Sequence, residues 1–434
     1  MRDPIDTRFE VVRRSRPVDL VRPGSDLSEA QAPSLAIEAD VAGGPVEIAF
    51  MSGGDVLAGR LDDRGVSLRI TAGGRTTTHR SRRWGGPAGA VSALALTLTG
   101  THLVAFSRAD GAWFARARFD LRDRLDTRDD AWLRGITAAS SGAVQQLRSG
   151  RFGQLGLRDL RVVSNADGTP YRERDGEALL TASSAGPGFF DTGHTSVWAL
   201  DLEHLSLAHR ADLFFRRPDR PGVYGDHASH LLRDSDRWLV ATSTWGDFDR
   251  HRSGASVEVT LAESTADLTR GEHVLAPRPL RLPTTGLTSV GVWDPHLVRT
   301  PDGWLVGYVN ATRFFRFHPV VAEGPDLDSL TLRAAATDRR ATEGTTLAHL
   351  DGAWRVLASD GRDGRRGQRE RYPVFDLDLT ETGALDAPYP TNIPWPTLLE
   401  HDDGWLMVGF NGARYGGPLV GYGSHGAVVV SRTS

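Results

Sequence analysis

"PDGWLVGYVN" (residues 301–310) is a turn, a tryptophan and an apolar strand, and the chain repeats that unit. "SDRWLVATST" (235–244), "LDGAWRVLAS" (350–359) and "HDDGWLMVGF" (401–410) align with it, placing Trp238, Trp304, Trp354 and Trp405 at intervals of 66, 50 and 51 residues. "RDGEALLTAS" (174–183) is an earlier copy without the Trp. A second apolar element follows each copy: "HTSVWALDLEHLSL", "ASVEVTLAESTADL", "HPVVAEGPDLDSL", "YPVFDLDLTETGAL" and "HGAVVVSRTS". Two elements in fixed order, five times at blade-sized spacing, predict a five-bladed β-propeller. The repeated Trp reads as core, since one packing position per blade explains it. The last copy stops at its third strand, so the outer strand of that blade is expected from "RFEVVRR" (8–14), which would close the ring.

Upstream, "LAIEADV", "VEIAFM", "VLAGRLD", "VSLRITA", "ALALTLTG", "THLVAFSR" and "AWFARARFDL" alternate apolar and polar residues between Gly- and Asp-rich turns, the pattern of a β-sandwich. The expected organisation is all-β: an N-terminal segment 1–34, a β-sandwich-like domain 35–125, a linker 126–154 and the propeller 155–434. The one helical stretch expected lies in "RDDAWLRGITAASSGAVQQLRSG" (128–150).

Bulk composition narrows the chemistry. A net charge of −4 over 434 residues gives no electrostatic footprint for nucleic acid or an anionic membrane, and favours a neutral or weakly polar ligand. All 51 basic residues are Arg, which excludes a Schiff-base Lys and a P-loop. The absence of Cys removes disulfides, thiol nucleophiles and Cys zinc sites. "MRDPIDTRFEVVRRSRPVDL" has no apolar run of signal-peptide length and no stretch reaches membrane-spanning length, which reads as a soluble, cytoplasmic chain. Nothing specifies an oligomeric state.

In a propeller the first strand of each blade lines the central channel, so its leading residues converge on the axis. Counting back from each Trp gives Asp294 in blade 3, Glu343 in blade 4, Asp226 or His227 in blade 2, and Pro394 or Trp395 in blade 5. "LRDLRVV" places Asp159 at the same point of blade 1. Three carboxyls from three blades thus face one channel, where mutual repulsion would split their pKa values. Two carboxyls across a pocket are the equipment of glycoside hydrolysis, one protonated and one ionised.

With these motifs, "RDLRVV", "WDPHLVRTPDGWLVGYV" and "TEGTTLAHLDGAWRVLAS", the region from about 155 to 434 resembles family 43 glycoside hydrolases and their five-bladed relatives of families 32, 62 and 68. The resemblance implies an inverting glycosidase acting on a furanoside of arabinofuranosyl type or a small pyranoside. It also implies Asp159 as general base, Asp294 as the group that tunes the acid, and Glu343 as general acid. Leu160 and Thr345 stand where the family pattern has proline. Glu323 in "VVAEGPDL" looks like the acid motif, but it aligns with Glu263 in the third-strand repeat, away from the axis.

Other candidates follow from position. His227 and His296 lie near the strand heads, while Trp245 and Phe248, Arg313, Phe314 and Phe315, and Arg414 and Tyr415 are expected to rim the pocket, where sugar rings stack on aromatic faces. His227 and His230, three apart on a strand, are expected on opposite faces, which argues against a shared zinc. His425 matches the place where the resemblance implies a blade-5 His holding water or a structural calcium; no cofactor is otherwise required. "GYGSHG" fits G-x-G-x-x-G at Gly421, Gly423 and Gly426, but only eight residues follow, so no dinucleotide helix does. Two other readings keep the fold: a phosphorylase, with Arg158 or Arg161 holding phosphate, and a non-enzymatic carbohydrate-binding propeller.

Overall fold

The computed structural model describes residues 3–86, 89–391, 393–402 and 404–433. Each Trp unit is the second strand of an antiparallel hairpin, and its turn chemistry explains the reversal. In blade 4, Asp351 and Gly352 both take positive φ (48° and 75°), as a tight two-residue hairpin turn requires. Five such hairpins grow into five sheets, and these are the blades of a five-bladed propeller.

Blade 1 runs outward from Leu157–Val162 through Glu177–Ser184 and His194–Asp201 to Leu207–Phe215, with Gly271–Leu275 added in parallel at its edge. Blades 2, 3 and 4 begin at His227–Asp234, Gly291–Thr300 and Thr342–Leu350. Blade 5 begins at Thr397–His401, continues through Gly404–Asn411 and Ala427–Thr433, and ends on Phe9–Ser15 from the other end of the chain. That last pairing buries Phe9 between blades 4 and 5. Trp238, Trp304 and Trp405 are buried where each blade packs on the preceding one, and the partly buried Trp354 borders the equivalent cluster.

The N-terminal domain is one nine-stranded sheet folded over on itself about two long strands. Ser34–Ser52 is one 19-residue strand, where the sequence suggested two; it bends at Gly43 and Gly44 (φ 103° and 77°). Its first half pairs with Ala93–Thr99 and its second with Asp55–Asp62, and the two arms of the sheet enclose one apolar core. Residues 126–154, expected as a linker with a helix, differ from that reading. The helix is only Asp130–Arg134, and Thr137–Gln154 is an 18-residue strand paired along Ser34–Ser52. Local propensity lost there because the bent strand has an open edge along its length, a non-local fact. Among the described residues no helix is long and apolar enough to cross a membrane.

Candidate active site

The innermost strands of blades 1 to 4 share one irregularity. Their pairing slips between Arg158 and Arg161, His227 and His230, Trp293 and His296, and Glu343 and Thr346. Within each bulge one residue takes the left-handed conformation: Asp159 (φ 54°), Ala228 (58°), Asp294 (57°) and Gly344 (75°). A bulge inserts a residue and re-aims side chains, and three of these are non-glycine residues held at positive φ at a strand head. The equivalence corrects the sequence alignment by one residue: Asp294 matches Gly344, and Glu343 matches Trp293, His227 and Arg158. Glu343 still reaches the pocket because the bulge turns both of its positions toward the axis. A Cβ on Gly344 would lie 2.4 Å from the Trp395 ring, so blade 5 fills that place with its indole.

Asp159, Asp294 and Glu343 line one pocket, together with Arg158, His227, Trp245, Phe314 and His425. Each carboxyl has a different partner. Asp159 pairs with Arg158 at 3.3 Å and faces the Ser183 hydroxyl; Glu343 faces the Trp293 indole and Asp294 the Gly344 backbone N–H, and each of these groups eases ionisation of its carboxyl. Burial pushes all three carboxyls upward. Glu343 rises to about 8, driven by burial and then by the charge of Asp159. Asp294 is raised well above the usual carboxylate range by burial, then by Glu343 and Asp159. Asp159 is raised too, but Arg158 and Arg161 oppose the effect, and it is the one of the three in an ion pair. It therefore ionises first, and its charge helps Glu343 keep its proton.

One layer deeper, the residues that close each bulge form an axial ring of Arg161, His230, His296 and Thr346. Arg161 donates to the Asp294 carbonyl (3.0 Å) and to Thr346 Oγ1 (2.7 Å), and stacks over Trp395 at 4.5 Å. His230 and His296 stack at 4.1 Å and accept from the Leu297 and Leu347 N–H groups of the following blades. Burial holds both imidazoles neutral, His230 down to about 3, with the Arg161 charge adding to it. Thr397 completes the ring by donating to the Leu160 carbonyl at 2.6 Å.

Several candidates fall elsewhere. His296 belongs to this ring and borders the cavity at the opposite end of the channel. His227 and His230 are not on opposite faces: the bulge at Ala228 brings both toward the channel at successive depths. Tyr415 accepts from the Trp113 N–H at 3.2 Å, at the contact between domains, and Arg414 and Arg313 are exposed outside the pocket lining. Asp226 is buried in an ion pair with Arg217. Glu323 lies on a third strand, paired with Arg333 at 2.7 Å. Phe190, Trp293, Trp395 and Tyr422 line the pocket without having been singled out as ligand groups, although Trp293 adjoins Asp294 and Trp395 stands ten residues before Trp405, as Asp294 does before Trp304.

The axis does not suit the calcium that the resemblance implies. Calcium takes oxygen ligands, whereas the ring presents a guanidinium and two imidazoles beside its threonines. Burial and Arg158 keep His425 neutral, and its Nδ1–H is committed to the Tyr422 carbonyl. Among the described residues no three His, Asp or Glu side chains converge as a metal-binding group.

The fold and site together define a five-bladed propeller with a carboxyl-bearing aromatic pocket at one end of its channel. No protein-family model and no curated protein matches the sequence. Solved structures with similarity include a family 32 β-fructofuranosidase from Bombyx mori (13% identity, 64% of this chain and 60% of that one, TM-score 0.45). A family 117 glycoside hydrolase from Zobellia galactanivorans matches at 12% identity over 64% of this chain and 84% of that one (TM-score 0.46). A family 43 enzyme from Xanthomonas citri, complexed with xylose, matches at 12% identity over 64% and 87% (TM-score 0.44). The chain thus spans 60% of the length of the Bombyx mori protein.

Proposed function

We propose that this chain is an inverting glycosidase that cleaves a furanoside of arabinofuranosyl type or a small pyranoside. The observation that carries the reading is the division of labour between two carboxyls of one pocket: Asp159 paired with Arg158, and Glu343 protonated up to about pH 8. Glu343 gives its proton to the glycosidic oxygen as the bond from that oxygen to the anomeric carbon breaks. Asp159 takes a proton from the water that attacks the same carbon from the opposite side. The cycle leaves Glu343 ionised and Asp159 protonated, and solvent resets both. The charge of Asp159 raises the proton affinity of Glu343, and the charges of Glu343 and Asp159 raise that of Asp294, which stays protonated beside them.

A single sugar ring suits the polar end of the pocket. Arg158 Nη1 and Trp395 Nε1 are buried without a protein partner on residues that line it, and both can donate to hydroxyls. Arg158 Nη1 equally suits a phosphate oxygen, which supports phosphorolysis as a second reading.

The test is product release by wild type and Glu343→Gln from aryl furanosides and pyranosides and from arabinan, xylan and fructan oligosaccharides, with and without phosphate. The expected result is a free sugar from one member of the panel, lost in the variant. A sugar phosphate formed only with phosphate present would favour the second reading. Binding of a panel sugar with no turnover would make the chain a carbohydrate-binding propeller.

A further inference from the structure

The pocket is chemically two-sided. Its charged and imidazole groups come from the strand heads and from His425, while ten of its eighteen lining residues are Phe, Trp or Tyr. Phe314 and Phe315 form the hairpin tip between the second and third strands of blade 3, Gly303–Arg313 and Arg316–Gly324. Phe314 packs edge-on against Phe248, with centroids 4.7 Å apart.

Phe315 is 50% exposed, and among the described residues it is the one aromatic side chain among the exposed large hydrophobics. It also holds φ at 67° in a two-residue turn, where Asn or Gly would be at ease. A bulky residue is strained in that region, and local packing does not explain a wet, strained phenylalanine. Phe248, Phe314, Phe317 and Ile393 line the same pocket, and their side chains offer no hydrogen bond to a hydroxyl. A second sugar seated there would find no hydrogen-bond partner for its hydroxyls among these side chains, whereas an apolar group needs none and would bury the exposed ring.

We infer that the pocket mouth is a subsite for an apolar group, aryl or long-chain alkyl, so that the preferred ligand is the glycoside of a hydrophobic alcohol. Phe315 is then a specificity residue on the leaving-group side. The leaving-group role rests on the glycosidase reading; binding of the apolar group does not.

The test is calorimetric titration near neutral pH with 2-naphthol, and with paired 2-naphthyl and methyl glycosides of L-arabinofuranose and D-xylopyranose. The wild type should bind 2-naphthol, and Phe315→Ala should weaken it by about tenfold, the worth of half a phenyl ring withdrawn from water. The naphthyl member of a pair should bind about tenfold more tightly than the methyl member, and Phe315→Ala should erase that ratio. Because Phe315 is half exposed, the variant should melt with the wild type. Absence of 2-naphthol binding, or binding indifferent to both Phe315→Ala and Phe314→Ala, overturns the inference. Naphthol binding without turnover of any glycoside would remove the glycosidase reading and leave the subsite. Turnover with no preference for apolar leaving groups would do the reverse.

Discussion

The same four strands build two layers of the channel, and the layers differ in what their polar groups bind: those of the lower layer bind neighbouring blades, with only Arg161 Nε lacking a partner among its buried side-chain atoms. Below the bulges, His230 and His296 accept backbone N–H groups from the next blade and Arg161 donates to Asp294 and Thr346. Above them, three carboxyls share an aromatic pocket, and Arg158 and Trp395 each keep a donor without a partner. The lower layer ties blades together. The upper layer is left open to a ligand, at the cost of carboxyls that resist ionisation. A short stretch of strand thus separates groups kept for cohesion from the groups to which we assign the chemistry.

That contrast can be broken by exchanging its consequences. The largest expected effect is in the upper layer, where Glu343→Gln should lower turnover by about 10²–10⁴ and leave the fold intact. In the lower layer, His230→Ala should do the opposite. It strands the buried Leu297 N–H and opens a cavity, so a loss of about 2–4 kcal/mol in denaturant unfolding is expected, with activity per folded molecule largely kept. A stable His230→Ala protein without activity would erase the division.

A smaller effect should appear in the pH dependence of stability. Glu343 has an ordinary pKa of 4.5 and is pushed up to about 8 in the folded chain. The folded state therefore holds this proton more tightly than the unfolded one. The stabilisation is fully present below about pH 4.5 and is lost as pH rises to about 8. The melting temperature of the wild type should fall across that window by more than that of Glu343→Gln; parallel curves would mean that Glu343 does not titrate there. The smallest effect is expected outside both layers, where the exposed Arg414→Ala should change stability by less than about 0.5 kcal/mol and turnover less than twofold.

The sequence made the propeller readable because four of the five blades place one Trp at one packing junction, and no local accident reproduces four such positions in order. Asp159, Asp294 and Glu343 were readable as strand-head acids for the same reason. Their register was not, because counting along a strand assumes strict alternation, and each bulge adds a residue that composition does not announce. Only Gly344 among the four positive-φ residues is a glycine, so Asp159, Ala228 and Asp294 gave no warning. The 137–154 strand was hidden for another reason. Its partner begins a hundred residues upstream, and its own Ala, Ser and Gln content suits a helix equally well. Tyr415 was misplaced because an aromatic beyond a second strand can face either the pocket or a neighbouring domain, and Trp113 decides it here.

Proton donation by Glu343 would show in how the defect of its Gln variant depends on leaving-group basicity. Rates for wild type and Glu343→Gln would be compared across a series of aryl glycosides of one sugar, from acidic phenols to weakly acidic ones. A proton donor matters most when the departing oxygen is basic, so the defect of the variant should widen steadily along the series and nearly vanish for the most acidic phenol. A defect of constant size along the series would contradict the assignment and leave Glu343 with a binding or positioning role.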